Sequence, residues 1–72
     1  MRERMDALNE IFDVELSLDD LDKETGEILE WDSFHIMNFM METEERFHKK
    51  ITIEQIAEVK FVRDLIELMK DG

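Results

Sequence analysis

Apolar residues recur at three- and four-residue intervals over most of this chain and lose that rhythm in one stretch near the front. Met1, Met5, Leu8, Ile11 and Phe12 form one stripe, with Arg2, Glu3, Asp6, Asn9 and Glu10 on the opposite side. That spacing predicts an amphipathic helix from Met1 to about Phe12. A helix this short is marginal alone because nucleation is costly, so it must dock its stripe on the rest of the fold. Phe34, Ile36, Met37, Phe39, Met40, Met41 and Phe47 then make a stripe too wide for a solitary surface helix. They predict a central helix from about Ser33 to Phe47 or His48, capped by Asp32 or Ser33, with His48, Lys49 and Lys50 at its negative end. Thr52-Ile53-Glu54-Gln55 fits a capping box and opens a short third helix through Ile56, Ala57 and Val59. Phe61, Val62, Leu65, Ile66, Leu68 and Met69 define a fourth, with Lys70 in its last turn and Gly72 as its stop.

Between the first two helices, Asp13 to Asp32 holds nine acids and a single base, Lys23. Val14, Leu16, Leu18, Leu21, Ile28 and Leu29 are scattered apolar anchors, and Gly26 marks a turn. The stretch predicts a long loop pinned to the core by its leucines, an unusual length for so small a domain. The expected architecture is therefore all-α: a small four-helix bundle with a long loop between helices one and two and a short third helix.

Composition narrows the function. Seventy-two residues allow one domain, spanning 1–72, with an economical core. The absence of cysteine excludes both a disulfide framework and a thiolate zinc site. The absence of proline and the presence of only two glycines agree with helices. A formal charge of −11 argues against nucleic-acid binding, which needs clustered Lys and Arg, and favours basic partners. The charge is uneven: Met1 to Asp32 carries 12 acids and 3 bases, Ser33 to Gly72 only 8 acids and 6 bases. No apolar run is long enough to span a bilayer and no signal-peptide core is evident, so a soluble, cytoplasmic monomer without membrane insertion is expected.

The chemistry converges on Trp31-Asp32-Ser33-Phe34, where a hydroxyl lies between the acidic stretch and the most apolar helix. A serine there is ordinarily a helix cap. Asp32, Ser33 and His35 contain the letters of a hydrolase triad, but residues one or two apart on a helix do not face one another. Asp20, Asp22 and Glu24 resemble the start of a calcium loop, yet the sixth position is Thr25 and the twelfth Trp31, so the required Gly and Glu are missing. His35 and His48 have no convincing ligand cluster and read as surface histidines, so no metal site is expected. The six methionines, at helical spacing, read as core filling.

Trp31-Asp32-Ser33-Phe34, a helix ending Glu44-Glu45-Arg46-Phe47, then Ile51, a short capped segment and a final amphipathic helix resemble an acyl or peptidyl carrier protein. The family signature is Asp-Ser-Leu, and the resemblance covers essentially the whole chain. It implies that Ser33 carries 4′-phosphopantetheine, a covalent cofactor drawn from coenzyme A by a separate phosphopantetheinyl transferase with Mg²⁺. It further implies a non-catalytic carrier, expected from the chain's length to be free-standing, that presents acyl or aminoacyl thioesters to a loading enzyme and downstream synthases or transferases, in fatty-acid, polyketide or related biosynthesis. Asp32 then helps the transferase engage the serine region, Phe34 shelters the base of the arm in place of the usual leucine, and Glu44 and Glu45 belong to a face that basic partners recognise. His35 and Asn38 depart from the family pattern where acids are frequent, Arg46 interrupts the acidic run, Thr43 replaces an apolar core residue and Lys60 replaces a frequent cap. The alternative is an acidic helical adaptor that binds a basic protein surface and uses Ser33 only as an N-cap.

Overall fold

A computed structural model describes residues 2–70; Met1 of the first stripe and the stop at Gly72 lie outside the described residues. The architecture is all-α, and among the described residues there are five α-helices rather than the four that periodicity predicts. They are α1 (Arg2–Phe12), α2 (Thr25–Ile28), α3 (Ser33–Phe47), α4 (Ile53–Ala57) and α5 (Val62–Met69), with a 3-10 turn over Leu18–Asp22. Helix α1 lies against both α3 and α5. Leu8 of α1, Phe39 of α3, and Val62, Leu65 and Met69 of α5 are completely buried where they meet. Burying each such side chain is worth roughly 1.5–3 kcal/mol, which is what stabilises helices too short to persist alone.

The extra helix comes from the acidic stretch, which is folded. Helix α1 ends where Asp13 takes a left-handed φ of 57° and the Val14 amide reaches back to the Asn9 carbonyl at 2.9 Å. The Asn9 side chain then holds Leu16 from both sides, accepting from its amide at 2.9 Å and donating to its carbonyl at 3.3 Å. The Ser17 amide donates to the Asp20 carboxylate at 2.9 Å and starts the 3-10 turn, and Lys23 pairs with the same carboxylate at 2.9 Å. Beyond it, Glu24 and Phe61 form an isolated antiparallel bridge: the Thr25 amide donates to the Lys60 carbonyl and the Val62 amide to the Lys23 carbonyl. Arg63 also pairs with Asp22. These bonds join the start of α2 to the start of α5, a register that no local pattern encodes. Leu29 is buried and Val14, Leu16, Leu21 and Ile28 pack against the core, but the expected anchor Leu18 is exposed.

The remaining boundaries follow their local chemistry. At α4, the Gln55 amide donates to the Thr52 hydroxyl at 3.2 Å while the Thr52 amide donates to the Gln55 side chain at 2.9 Å, a reciprocal cap. Helix α5 begins one residue later than its apolar pattern predicts, because Phe61 is extended and the Asp64 carboxylate takes the amides of Lys60 and Phe61 at 3.0 and 2.9 Å. Those two amides hold the Asp64 carboxyl below its ordinary value of 3.8. Asp64 thus supplies the cap that Lys60 cannot.

Candidate functional site

The start of α3 is positioned from behind by aromatic packing. Phe12, at the end of α1, lies 5.9 Å from the Phe39 ring, 6.3 Å from Trp31 and 6.5 Å from the nearly parallel imidazole of His35, centroid to centroid. One ring from α1 therefore sets both the residue before the cap and the first turn of α3. Aromatic contacts of this kind add about 0.5–1.5 kcal/mol beyond area burial.

Asp32 is the cap. Its backbone is extended, its carboxylate accepts the His35 amide at 2.9 Å, and its carbonyl accepts the Ile36 amide at 2.9 Å. The same carboxylate oxygen meets His35 Nδ1 at 2.7 Å. Chiefly the His35 amide, and then the imidazole, hold the Asp32 carboxyl below its ordinary value of 3.8. Ser33 is the first residue of α3 and is exposed, and among the described residues its hydroxyl makes no hydrogen bond. The choice that the sequence left open between Asp32 and Ser33 is thereby decided, and the Ser33 hydroxyl is not needed for capping.

His35 is not the free surface histidine expected. It is half-buried, stacked on Phe12, bonded to Asp32 and 3.8 Å from a Glu30 carboxylate oxygen. Donor atoms of Glu30, Asp32 and His35 lie within 4.8 Å of one another, a grouping missed because its members are spread across a cap. The three-residue step from Asp32 to His35, from N-cap to third helical position, is the signal that finds it. No hydrogen bond joins Ser33 to His35 among the described residues, so the three triad letters make one contact, Asp32 to His35.

Phe34 stands edge-on to His35 at 5.3 Å and is 75% exposed, so it belongs to the surface rather than to the core stripe. Met37 and Met41, 61% and 59% exposed, share its side of α3, which corrects their assignment as core filling. The buried face is carried by Phe39 and Thr43, with Ile36, Met40 and Phe47 partly covered. Beside Ser33, an apolar cleft of about 340 Å³ opens between α3 and α4, lined by Ser33, Ile36, Met37, Ile53, Ile56 and Ala57. Glu44 and Glu45 are exposed near the far end of α3, about 17 Å from Ser33 along the helix axis. Asp32, Ser33 and Phe34 form one locus; the two glutamates form another on the same element.

No helix among the described residues is long and apolar enough to cross a membrane. No family model, no curated protein and no solved structure matches this chain.

Proposed function

We propose that the chain is a carrier protein in which Ser33 is the attachment point for 4′-phosphopantetheine. The observation that carries this reading is the division of labour at the start of α3: Asp32 supplies the cap, and the Ser33 hydroxyl is exposed and, among the described residues, without a hydrogen-bond partner. A serine kept only as a cap would bond an amide of its own first turn. The order of elements supports the same reading, with a long central helix beginning at Ser33, a short capped helix and a final amphipathic helix. This is the order that resemblance to acyl and peptidyl carriers implies.

The local chemistry accommodates the group. A phosphodiester on Ser33 would lie at the positive end of a fifteen-residue helix, where anions are favoured. The neighbouring Asp32 carboxylate opposes that attraction, but both groups face water, which screens the repulsion. When attached, the group supplies a thiol, and hence a thioester, to a chain that has no cysteine. Ser33 provides the ester oxygen, Asp32 holds the helix start on which that oxygen is presented, and Phe34 stands exposed beside it for a phosphopantetheinyl transferase to contact. The chain itself performs no chemistry in this account; loading and downstream enzymes do.

Incubation with a fluorescent coenzyme A derivative and a broad-specificity phosphopantetheinyl transferase tests the assignment. One label per chain is expected, abolished by Ser33→Ala with the helical circular dichroism retained. Labelling of Ser33→Ala at the wild-type level would remove Ser33 as the site, and no labelling of wild type by several transferases would remove the carrier reading. The adaptor reading draws on a different observation, the exposed apolar side of α3, which also stands apart from Ser33's chemistry.

A further inference from the structure

The inner side of α3 holds one group that the fold leaves idle. Thr43 is completely buried, and its hydroxyl has no hydrogen-bond partner among the described residues. A threonine inside a helix ordinarily satisfies itself by donating to the carbonyl four residues back, here that of Phe39. This one does not. Burying the hydroxyl unpaired costs stability, and valine would fill the same space without that cost. Carriers of the type this chain resembles place an apolar residue here, so Thr43 is a departure that packing does not explain.

A line of side chains leads to it from Ser33. The cleft beside Ser33 has Ile36 in its wall, and the neighbouring hollow, which shares Met37 with it, has Met40 and Ile51. Ile36, Met40 and Thr43 lie at i, i+4 and i+7 of α3, on one face and about 10 Å from end to end. Ile36 and Met40 are half-buried and Thr43 wholly buried, so the line passes from open to closed. Met40, the residue between, is unbranched and repacks readily. An alkyl chain following that line meets Ile36, Ile56, Ala57 and Met40, all apolar, and then a single oxygen.

We infer that Thr43 selects the cargo: the acyl chain carried on Ser33 bears an oxygen substituent, hydroxy or oxo, at the depth of Thr43, whose hydroxyl donates to it. The selection presupposes Ser33 as the attachment site and names the class of acyl group that the site carries. A plain alkyl chain gains from the apolar walls but leaves the Thr43 hydroxyl unpaired. An oxygen at the matching carbon satisfies both groups, and a site built to pair an oxygen rejects the analogue lacking it more strongly than an apolar site rejects a missing methylene. An oxygen at other carbons would be buried unpaired beside Ile36 or Met40, so its position along the chain is selected as well.

The test loads wild type, Thr43→Ser and Thr43→Val, by a broad-specificity phosphopantetheinyl transferase, from decanoyl-coenzyme A and from its hydroxy and oxo isomers with the oxygen moved carbon by carbon. Intact mass confirms each product, and circular dichroism reads its thermal midpoint. One position of the oxygen should raise the wild-type midpoint above that of the decanoyl form by about 4 °C or more. Whichever of the hydroxy and oxo isomers does so names the substituent. Thr43→Ser should keep that preference and Thr43→Val should lose or reverse it. Equal midpoints for the decanoyl form and every isomer, or a preference that survives Thr43→Val, would overturn the inference. So would an unloaded Thr43→Val domain less stable than unloaded wild type, because the hydroxyl would then already have a partner. Failure of wild type to take up any arm would remove the attachment site and the selection with it, a result that the mass shows before any midpoint is read.

Discussion

The two sides of α3 are built from similar residues and do opposite things. Phe39 and Thr43 are wholly buried against the rest of the fold, while Phe34, Met37 and Met41 face outward from the same helix. Hydrophobicity alone does not distinguish them; position around the helix axis does. Apolar residues on the inner side stabilise the domain, while those on the outer side stay open to solvent and gain little from folding.

The comparison breaks most visibly at Phe39. Phe39→Ala should cost about 3–5 kcal/mol, enough to unfold much of a domain whose total stability is of order 5–15 kcal/mol, whereas Met37→Ala should shift it by less than about 0.5 kcal/mol. Urea denaturation measures both, and similar losses at the two positions would show that the sides are not distinct. Phe47 falls between them. It is half-buried, and the Arg4 guanidinium stacks 4.2 Å from its ring centroid, so Phe47→Ala should cost about 2 kcal/mol rather than the full value of a core phenylalanine. A loss equal to that of Phe39→Ala would place Phe47 in the core after all.

Thr43 sharpens the inner side. Its hydroxyl is fully buried and has no hydrogen-bond partner among the described residues. Thr43→Val keeps the shape and removes the unsatisfied group, so the denaturation midpoint should rise by an amount corresponding to about 1 kcal/mol. A fall would mean that the hydroxyl has a partner in solution. The smallest effect concerns pH. Because the amides of Lys60 and Phe61 lower the Asp64 carboxyl in the folded state, its stabilising contribution is full above the ordinary value of 3.8 and is lost as pH falls through the lower folded value. The stability gap between wild type and Asp64→Asn should therefore be constant at neutral pH and close on acidification through that window. A gap that persists well below it would detach the α5 cap from the Asp64 charge.

Much of this fold is legible in the order of residues. Helix α3 and the opening of α4 read correctly because a long apolar period and a reciprocal Thr52–Gln55 cap are local properties. Helix α2 does not, since its entry is held by the Thr25 amide bonding the Lys60 carbonyl, a contact between distant parts of the chain. The outer side of α3 is hidden for a different reason: when apolar residues cover most of a helix, periodicity cannot tell which of them face the core. Ser33 was found as a helix start, but only three-dimensional placement separates a capping Asp32 from an idle Ser33 hydroxyl, and only folding brings Phe12 against His35.

The most direct test of the central claim is the intact mass of the protein recovered from the cells that make it, alongside the Ser33→Ala variant. The account predicts a single added 4′-phosphopantetheine, with or without an acyl group on its thiol, on wild type and none on Ser33→Ala. Wild-type protein of unmodified mass from those cells, and again after incubation with coenzyme A and a transferase, would contradict it.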